Sequence, residues 1–184
     1  VRDPEALEAW CGRVDFVART VPEAKVSPPD AAAQEAAMRA LCVGCRSLDE
    51  LRGQSLLDGL RGLLTGEQRR AVELNAPERV MLPGGRAVRI HYEPGKGPWM
   101  ESRLQDFFGM PRGPSVANGR VPVVLHLLAP NQRAVQVTTD LEGFWQRHYP
   151  SIRKELCRKY PRHPWPEDGR TATPPAPRPP RPRG

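Results

Sequence analysis

A basic and aromatic segment near the C-terminal end of the chain contains the residue types that bind nucleic acid. Six lysines and arginines lie between Phe144 and His163, with Glu155 as the single acidic residue. Such cations neutralise phosphates, and exposed aromatic rings stack on unpaired bases. The same spacing also suits an amphipathic helix with a buried aromatic face, which is the interpretation we favour for Phe144 and Trp145. We expect phosphate contacts from Arg153, Lys154, Arg158, Lys159 and Arg162, and next from Arg120 and Arg133.

Metal, redox and catalytic chemistry have weaker support in the sequence. Cys42 and Cys45 have the spacing of a zinc knuckle or a redox pair, but only the single residues Cys11 and Cys157 remain as further thiol ligands. We therefore interpret Cys42 and Cys45 as small buried hydrophobic residues. The four histidines lack a metal-like spacing, and we expect His126 to be a hydrogen-bonded core residue. No catalytic residue and no metal site are predicted.

The charge of the chain is unevenly distributed along its length. The formal net charge of +7 combines a slightly acidic segment, residues 1–78, with a strongly basic one, residues 79–184. A basic segment attracts polyanions, nucleic acid first among them, although a solvated basic surface is the alternative. No apolar run is long enough to cross a bilayer and no signal peptide is recognisable, so we expect no membrane partner. The four scattered cysteines do not have the pattern of a secreted disulfide framework, so we expect a reducing, cytoplasmic setting. The start at Val1 suggests an excised fragment.

The elements that must position these residues are predicted to form an α+β fold. Residues 1–78 have the apolar periodicity and capping residues of short helices, with Asp30 and Thr65 as helix starts. Residues 79–168 are predicted to form a small mixed domain with a hairpin around 83–85 and a central, buried strand over 121–128. Flanking helices complete it, and whether its strands close into an OB-like barrel is left open.

Two predicted helices and three aromatic side chains of the second domain bear on how the basic segment is held. Met100, Leu104, Phe107 and Phe108 have the spacing of a short amphipathic helix that ends at Gly109. A further helix, capped by Thr139 or Asp140, is expected to run toward Tyr149, to be interrupted by Pro150 and to resume over 151–160. Three aromatic side chains are expected to act as structural anchors, with Trp165 holding the chain end on the domain while Glu167 and Asp168 pair with nearby cations. These anchors are Trp165, Trp145 and Phe108.

The last segment, residues 169–184, is expected not to fold. It contains six prolines and four arginines and lacks any large apolar side chain. Such a segment cannot bury enough surface to offset its ordering entropy, so we expect a disordered, polyproline-like tail. A solubilising tail is the interpretation we favour. A protein partner with a proline-binding groove is the alternative.

The chain resembles the C-terminal domain of HrpB-type bacterial ATP-dependent helicases over residues 82–168. Several long motifs occur in one order, and residues 1–78 resemble the preceding region of that family more weakly. The motifs are RLQDFFG at 103–109, GRVP at 119–122, LLAPNQR at 127–133, VQVTTDL at 135–141, FW at 144–145, RKEL at 153–156 and YPRHPWPED at 160–168.

The resemblance implies a parent enzyme that is similar to the DEAH/RHA helicases and couples ATP hydrolysis to movement on RNA or to duplex unwinding. ATP and Mg²⁺ would bind its upstream motor domains, because this chain has neither a G-x-x-x-x-G-K-[ST] loop nor a DEAH box. We therefore expect no enzymatic activity and no cofactor in this chain. The expected function is an accessory portion that contacts nucleic acid and braces the motor domains. The alternative is an interaction module that docks on the motor or on a partner protein without contacting nucleic acid.

Overall fold

The computed structural model describes residues 4–43, 45, 47, 50 and 55–176 of the chain. The chain divides into two compact units. The first contains residues 1–78 together with the segments 91–96 and 116–120, and the second contains residues 79–90, 97–115 and 121–184. The α+β class is confirmed, since helices make up most of the first unit and strands appear in the second.

The first unit is helical, and its helices begin where capping side chains are present. Asp30 accepts a hydrogen bond from the Ala33 N–H, and Thr65 and Gln68 form a reciprocal capping box. Both predicted helix starts are therefore confirmed. The helices are α1 (Pro4–Thr20), a 3₁₀ turn (Pro22–Ala24), α2 (Ala31–Cys42), α3 (Leu56–Gly62) and α4 (Gly66–Asn75).

A buried arginine and a glycine hold the first unit together. Arg13 is almost fully buried, and its guanidinium donates to the Ala76 carbonyl oxygen and to the Glu73 carboxylate, both at 2.6 Å. These bonds compensate the buried charge and tie α1 to the C-terminal end of α4. A Cβ atom on Gly12 would lie 2.0 Å from the Tyr92 carbonyl oxygen, so only glycine allows α1 to approach this segment so closely.

The two cysteines that suggested a zinc or redox motif do not form a buried pair. Cys42 is the last residue of α2 and is exposed, so its predicted burial is wrong. The buried residue of α2 is Ala37, more than a turn before the exposed C-terminal end of the helix at which Cys42 lies. Cys45 is half-buried, and its thiol donates to the Leu41 carbonyl oxygen. No group of three or more potential metal ligands occurs within the described residues.

The second unit is organised around a three-stranded sheet in which β6 (Val124–Leu128) lies between β3 (Trp99–Arg103) and β7 (Ala134–Thr138). The central strand, β6, pairs in parallel with β3 and in antiparallel with β7. The predicted buried strand over 121–128 is confirmed only for 124–128, which is the central strand, whereas Val121–Pro122 is a short strand of a separate sheet. The predicted hairpin forms from β1 and β2. The strands are β1 (Arg79–Met81), β2 (Ala87–Arg89), β3 (Trp99–Arg103), β4 (Ser115–Val116), β5 (Val121–Pro122), β6 (Val124–Leu128) and β7 (Ala134–Thr138). Within the described ranges the strands form separate small sheets, and an OB-like barrel is not observed.

The helix predicted around Met100 is wrong. Trp99–Arg103 is strand β3, and Leu104–Phe107 is a single 3₁₀ turn. Met100 is buried because it lies on the inner face of a strand with alternating burial, while Leu104 and Phe107 are buried from the turn that follows. A strand whose side chains alternate between buried and exposed, followed by a tight turn, can thus show the same apolar spacing as a helix. His126, on the neighbouring strand, is half-buried with its ring 5.1 Å from that of Trp99.

The helix around Pro150 continues through the proline. It consists of α5 (Leu141–Gly143), a π-helical turn (Phe144–His148) and α6 (Tyr149–Lys159). Asp140 is the N-cap, with its carboxylate accepting from the Gly143 N–H at 2.8 Å. Pro150 lies in the first turn of α6, where a missing N–H is tolerated. The predicted interruption is therefore only a change of hydrogen-bond register, because the Tyr149 N–H bonds to the Phe144 carbonyl oxygen.

The segment after α6 returns to the second unit and contacts its aromatic core. The Gly169 carbonyl oxygen accepts from the Gly109 N–H at 2.9 Å, and a Cβ on Gly169 would lie 2.4 Å from the Trp145 ring. Residues 169–176 of the predicted disordered tail thus pack against the second unit, and a Cβ on Gly84 would lie 3.0 Å from the Pro175 carbonyl oxygen. Residues 177–184 lie outside the described residues. None of the helices in the described ranges is long and apolar enough to span a bilayer.

Candidate nucleic-acid interface

The exposed cations of the basic segment lie on α6 and in the loop after it. Lys154, Arg158, Lys159 and Arg162 are all exposed. Within the described part of the chain, none of these four side chains forms a hydrogen bond or an ion pair. At 100° per residue, Lys154 and Arg158 share one side of α6, and Lys159 lies on a different side. These charges are therefore available to an external anion.

Arg153 has a different role from its neighbours on α6. Its side chain is half-buried, and its Nε donates to the Trp165 carbonyl oxygen at 2.8 Å. Trp165 is 7% exposed, and its indole Nε1 donates to the Tyr160 carbonyl oxygen at 3.1 Å. Arg153 thus holds the chain after α6 in place. Arg153 is therefore a weaker candidate for phosphate contact than expected, because one edge of its guanidinium already forms a hydrogen bond.

Arg133 and Lys159, which lie in different elements, border the same groove of the second unit. The groove has a volume of about 290 Å³, and Tyr160 contributes a half-buried ring to it. The turn between β6 and β7 positions Arg133, because its N–H donates to the Asn131 carboxamide at 3.2 Å. Glu155 also lines this groove, so its charge partly offsets the two cations. We call this groove, defined by Asn131, Arg133, Glu155, Lys159 and Tyr160, the Tyr160 groove.

Arg120 belongs to the first unit and has an internal partner. Its guanidinium lies 2.6 Å from the Glu23 carboxylate and 3.4 Å from the Thr20 carbonyl oxygen. The hydrogen bond from Arg120 is the main cause that lowers the pKa of Glu23, and the same bond raises the pKa of Arg120. A phosphate at Arg120 would have to compete with this ion pair. Arg120 is therefore less available to a phosphate than an exposed cation without a partner.

The aromatic side chains that precede the basic helix form a buried cluster. Phe108, Phe144, Trp145 and Tyr149 are all buried, with ring centroids 5.0 to 6.2 Å apart. The indole Nε1 of Trp145 donates to the Met110 carbonyl oxygen at 2.9 Å. The rings of Phe144, Trp145 and Tyr149 are the hydrophobic face of the helix and lie close to the Phe108 ring, so they are not stacking platforms, as we favoured for Phe144 and Trp145. Among the aromatic residues of this segment, Tyr160 remains partly accessible for stacking.

The expected pairing of the acidic residues after Trp165 is observed for one of them. The Asp168 carboxylate accepts from the Arg170 backbone N–H at 2.9 Å and from its guanidinium at 3.0 Å. The side-chain hydrogen bond from Arg170 is the largest cause that lowers the pKa of Asp168. Glu167 is exposed. The partner of Asp168 is thus local in sequence and does not come from α6.

A second polar groove of the same unit was missed in the sequence. It has a volume of about 570 Å³ and is lined by Arg86, Ala87, Glu101, Ser102, Arg103, Leu128 and Gln132. The buried carboxylate of Asp106 lies beside it, 3.8 Å from Arg86 and 2.8 Å from Arg103. The signal available in the sequence was the Arg-x-x-Asp spacing at 103–106. Its connection with Arg86 and Gln132 is non-local, so no local pattern could have revealed it.

Comparison with known proteins identifies close relatives. Residues 38–169 match the HrpB_C family model, described as "ATP-dependent helicase C-terminal". The chain is 37% identical over 131 residues to the ATP-dependent RNA helicase HrpB of Escherichia coli (strain K12). This alignment covers 71% of the present chain and 16% of that protein. The crystal structure of the E. coli DExH-box NTPase HrpB matches with a TM-score of 0.84 and 32% identity, over 91% of this chain and 21% of that one.

A second solved structure, that of the Escherichia coli DEAH/RHA helicase HrpB, matches with a TM-score of 0.67 at 32% identity. This match covers 86% of the present chain and 20% of the solved chain. The chain therefore spans only about a fifth, or less, of the length of the relatives that it matches.

Proposed function

The chain belongs to the HrpB_C family of ATP-dependent helicase C-terminal regions, and from this premise we propose that it is an accessory portion that contacts single-stranded nucleic acid, RNA in the first place. It corresponds to the C-terminal part of an HrpB-type helicase. The observation that carries the proposal is the convergence of Arg133 and Lys159 on the Tyr160 groove. Two cations from separate elements beside a half-exposed ring are suited to a phosphate and a stacked base.

The charges around the groove favour a polyanion. Lys154, Arg158 and Arg162 add exposed positive charge without an internal counter-charge among the described residues. Phosphates bind at such cations mainly through the release of condensed counterions, with little dependence on base sequence. Arg120 and Arg153 contribute less in this proposal, because each already has a partner. RNA is the first candidate because the E. coli relative is named an RNA helicase.

ATP hydrolysis is proposed to lie outside this chain. The sequence lacks a phosphate-binding loop and a DEAH box, so no residues are present to cradle a triphosphate and hold Mg²⁺. ATP and Mg²⁺ would therefore act in the motor domains of the parent helicase, to which this portion would dock. A module that docks on the motor or on another protein without touching nucleic acid is the competing function.

Charge reversal at the Tyr160 groove tests the proposal. We expect the double variant Arg133→Glu/Lys159→Glu to bind fluorescent single-stranded RNA more weakly. The negative slope of log affinity against log salt should decrease in magnitude by about 1.4, which is about 0.7 for each of two lost contacts. The matched control is Arg69→Glu/Arg70→Glu, which makes the same charge change on an exposed stretch of α4 in the first unit.

Three outcomes are decisive for this test. Weaker binding in the groove variant alone supports contact at the Tyr160 groove. Equal losses in both variants would reduce the effect to net charge and contradict a specific contact. A folded wild-type chain that binds no RNA would exclude the proposal and leave docking on the motor as the better function.

A further inference from the structure

The second polar groove, bordered by Arg86, Glu101, Arg103 and Gln132, has the dimensions of a small-ligand site. We call it the Arg86 groove. Its volume of about 570 Å³ lies within the roughly 300–1,000 Å³ that is usual for ligand pockets. Leu128 and Ala87 add apolar surface to a mainly polar lining. The turn between β6 and β7 serves both grooves, with Gln132 at this one and Asn131 and Arg133 at the Tyr160 groove.

A buried hydrogen-bond network fixes one wall of the Arg86 groove. The Asp106 side chain is 3% exposed and accepts from the Ser102 hydroxyl at 2.6 Å. Arg103 donates to the same carboxylate through Nη2 at 2.8 Å and Nε at 3.4 Å. A guanidinium has five N–H donors, so this arrangement orients Arg103 and leaves further donors for a ligand. The wall is therefore preorganised rather than flexible.

The remaining polar side chains of the groove have uncommitted hydrogen-bonding capacity. The Nε of Arg86 lies 3.8 Å from the Asp106 carboxylate, which is too far for a hydrogen bond, and this arginine is 49% exposed. Glu101 is exposed and forms no hydrogen bond or ion pair with any residue in the described ranges. The same holds for the exposed side chain of Gln132. The groove thus presents free donors at its arginines and a free acceptor at Glu101.

The sum of charges restricts the ligand that the groove suits. The two guanidinium groups of Arg86 and Arg103 are balanced by the two carboxylates of Glu101 and Asp106. The site therefore has no excess positive charge with which to bind a phosphate backbone. A suitable ligand must instead offer acceptors to the arginines and donors to the glutamate. Guanine does so, with acceptors at O6 and N7 and donors at N1 and N2. Among the four RNA bases, only guanine combines two adjacent acceptors with two adjacent donors that match both oxygens of a carboxylate. Adenine and cytosine each have a single amino group as donor, and uracil has no exocyclic amino group.

We propose that the Arg86 groove receives one guanine base of the single strand whose phosphates contact the neighbouring cations. Arg86 and Arg103 donate to the O6 and N7 edge, and Glu101 accepts from N1 and N2. The inference rests on the proposed nucleic-acid function and adds a base preference that phosphate contacts alone do not provide. The turn between β6 and β7 would place this base beside the strand at the Tyr160 groove.

The test compares two RNAs that differ only in base content. Fluorescence anisotropy measures the binding of two oligonucleotides of equal length, one of uridines only and one in which isolated uridines are replaced by guanosines. Lithium chloride is used to prevent guanine self-association. We expect the guanine-containing RNA to bind roughly fivefold more tightly or better, the lower range for one bidentate base contact. Arg86→Ala and Glu101→Ala should each reduce this ratio toward one. Arg79→Ala, an exposed cation on β1, is the control and should retain it.

The outcomes separate this inference from the proposed function. Equal affinity for both RNAs, with binding that weakens as salt rises, would overturn the guanine site and leave nucleic-acid contact intact. A guanine preference that survives in both groove variants would place the preference elsewhere and equally overturn the inference. Absence of binding to either RNA, with the chain folded, would overturn both. Replacing guanine by inosine, which lacks the N2 amino group, should reduce the preference in wild type and have little effect in Glu101→Ala.

Discussion

Truncation of Trp165 is predicted to destabilise the second unit by about 3–5 kcal/mol, the usual cost of removing a large buried aromatic side chain. The indole is 7% exposed, so Trp165→Ala removes nearly all of its buried contacts. It also removes the Nε1 donor to the Tyr160 carbonyl oxygen, which adds roughly 1 kcal/mol. The Trp165 carbonyl oxygen, which accepts from Arg153, remains in the variant but loses the side chain that positions it.

Urea unfolding followed by far-UV circular dichroism measures this cost from the midpoint and the slope. Trp165→Phe is the informative companion, because it keeps most of the apolar surface and loses the indole N–H. We expect its loss of stability to be less than half that of Trp165→Ala. A loss below about 1 kcal/mol for Trp165→Ala, in the range of ordinary surface substitutions, would refute the view that this residue anchors the chain end.

Three further predictions concern the structure around the aromatic cluster and the helix start. Gly169→Ala should destabilise by about 1–3 kcal/mol in the same assay, because its Cβ would lie 2.4 Å from the Trp145 ring, whereas Gly62→Ala, with no atom within 4 Å, should not. Burial raises the pKa of Tyr149 to about 12, so stability should fall as pH rises from about 10 to about 12, since the unfolded state ionises first, and Tyr149→Phe should remove this component. The hydrogen bond from the Gly143 backbone N–H lowers the pKa of Asp140 below its ordinary value of 3.8. The Asp140 carboxylate therefore stabilises the fold above that pH, and this stabilisation is lost as the pH falls through the folded-state pKa. Asp140→Asn, which keeps a capping oxygen, should flatten this acid dependence.

Local signals in the sequence predicted the elements that depend on local chemistry. Helix starts at Asp30, Thr65 and Asp140 follow from side chains that satisfy backbone N–H groups a few residues away. The pairing of β3 with β6 could not be predicted in this way, because a parallel pair joins segments that are distant in sequence. The prediction of a helix around Met100 was wrong for this reason, because the pairing that makes 99–103 a strand produces no signal in the neighbouring sequence.

The candidate site was predictable in its residue types and not in its geometry. Charge alone identified Arg133 and Lys159, while their convergence on one groove depends on how the turn after β6 meets α6. Charge also identified Arg153, but its hydrogen bond to the Trp165 backbone is set by the path of the chain after α6. The network of Asp106 with Arg103 was missed, because a buried carboxylate and an exposed one look alike in sequence.

The salt dependence of RNA binding tests the central claim most directly. If Arg133, Lys154, Arg158, Lys159 and Arg162 each contact one phosphate, the slope of log affinity against log salt should be about −3.5 for a single strand. Raising salt from about 50 to about 200 mM should then weaken the binding of single-stranded RNA roughly 130-fold. No binding at the lower salt by a folded chain, or an affinity that does not change with salt, would contradict the account.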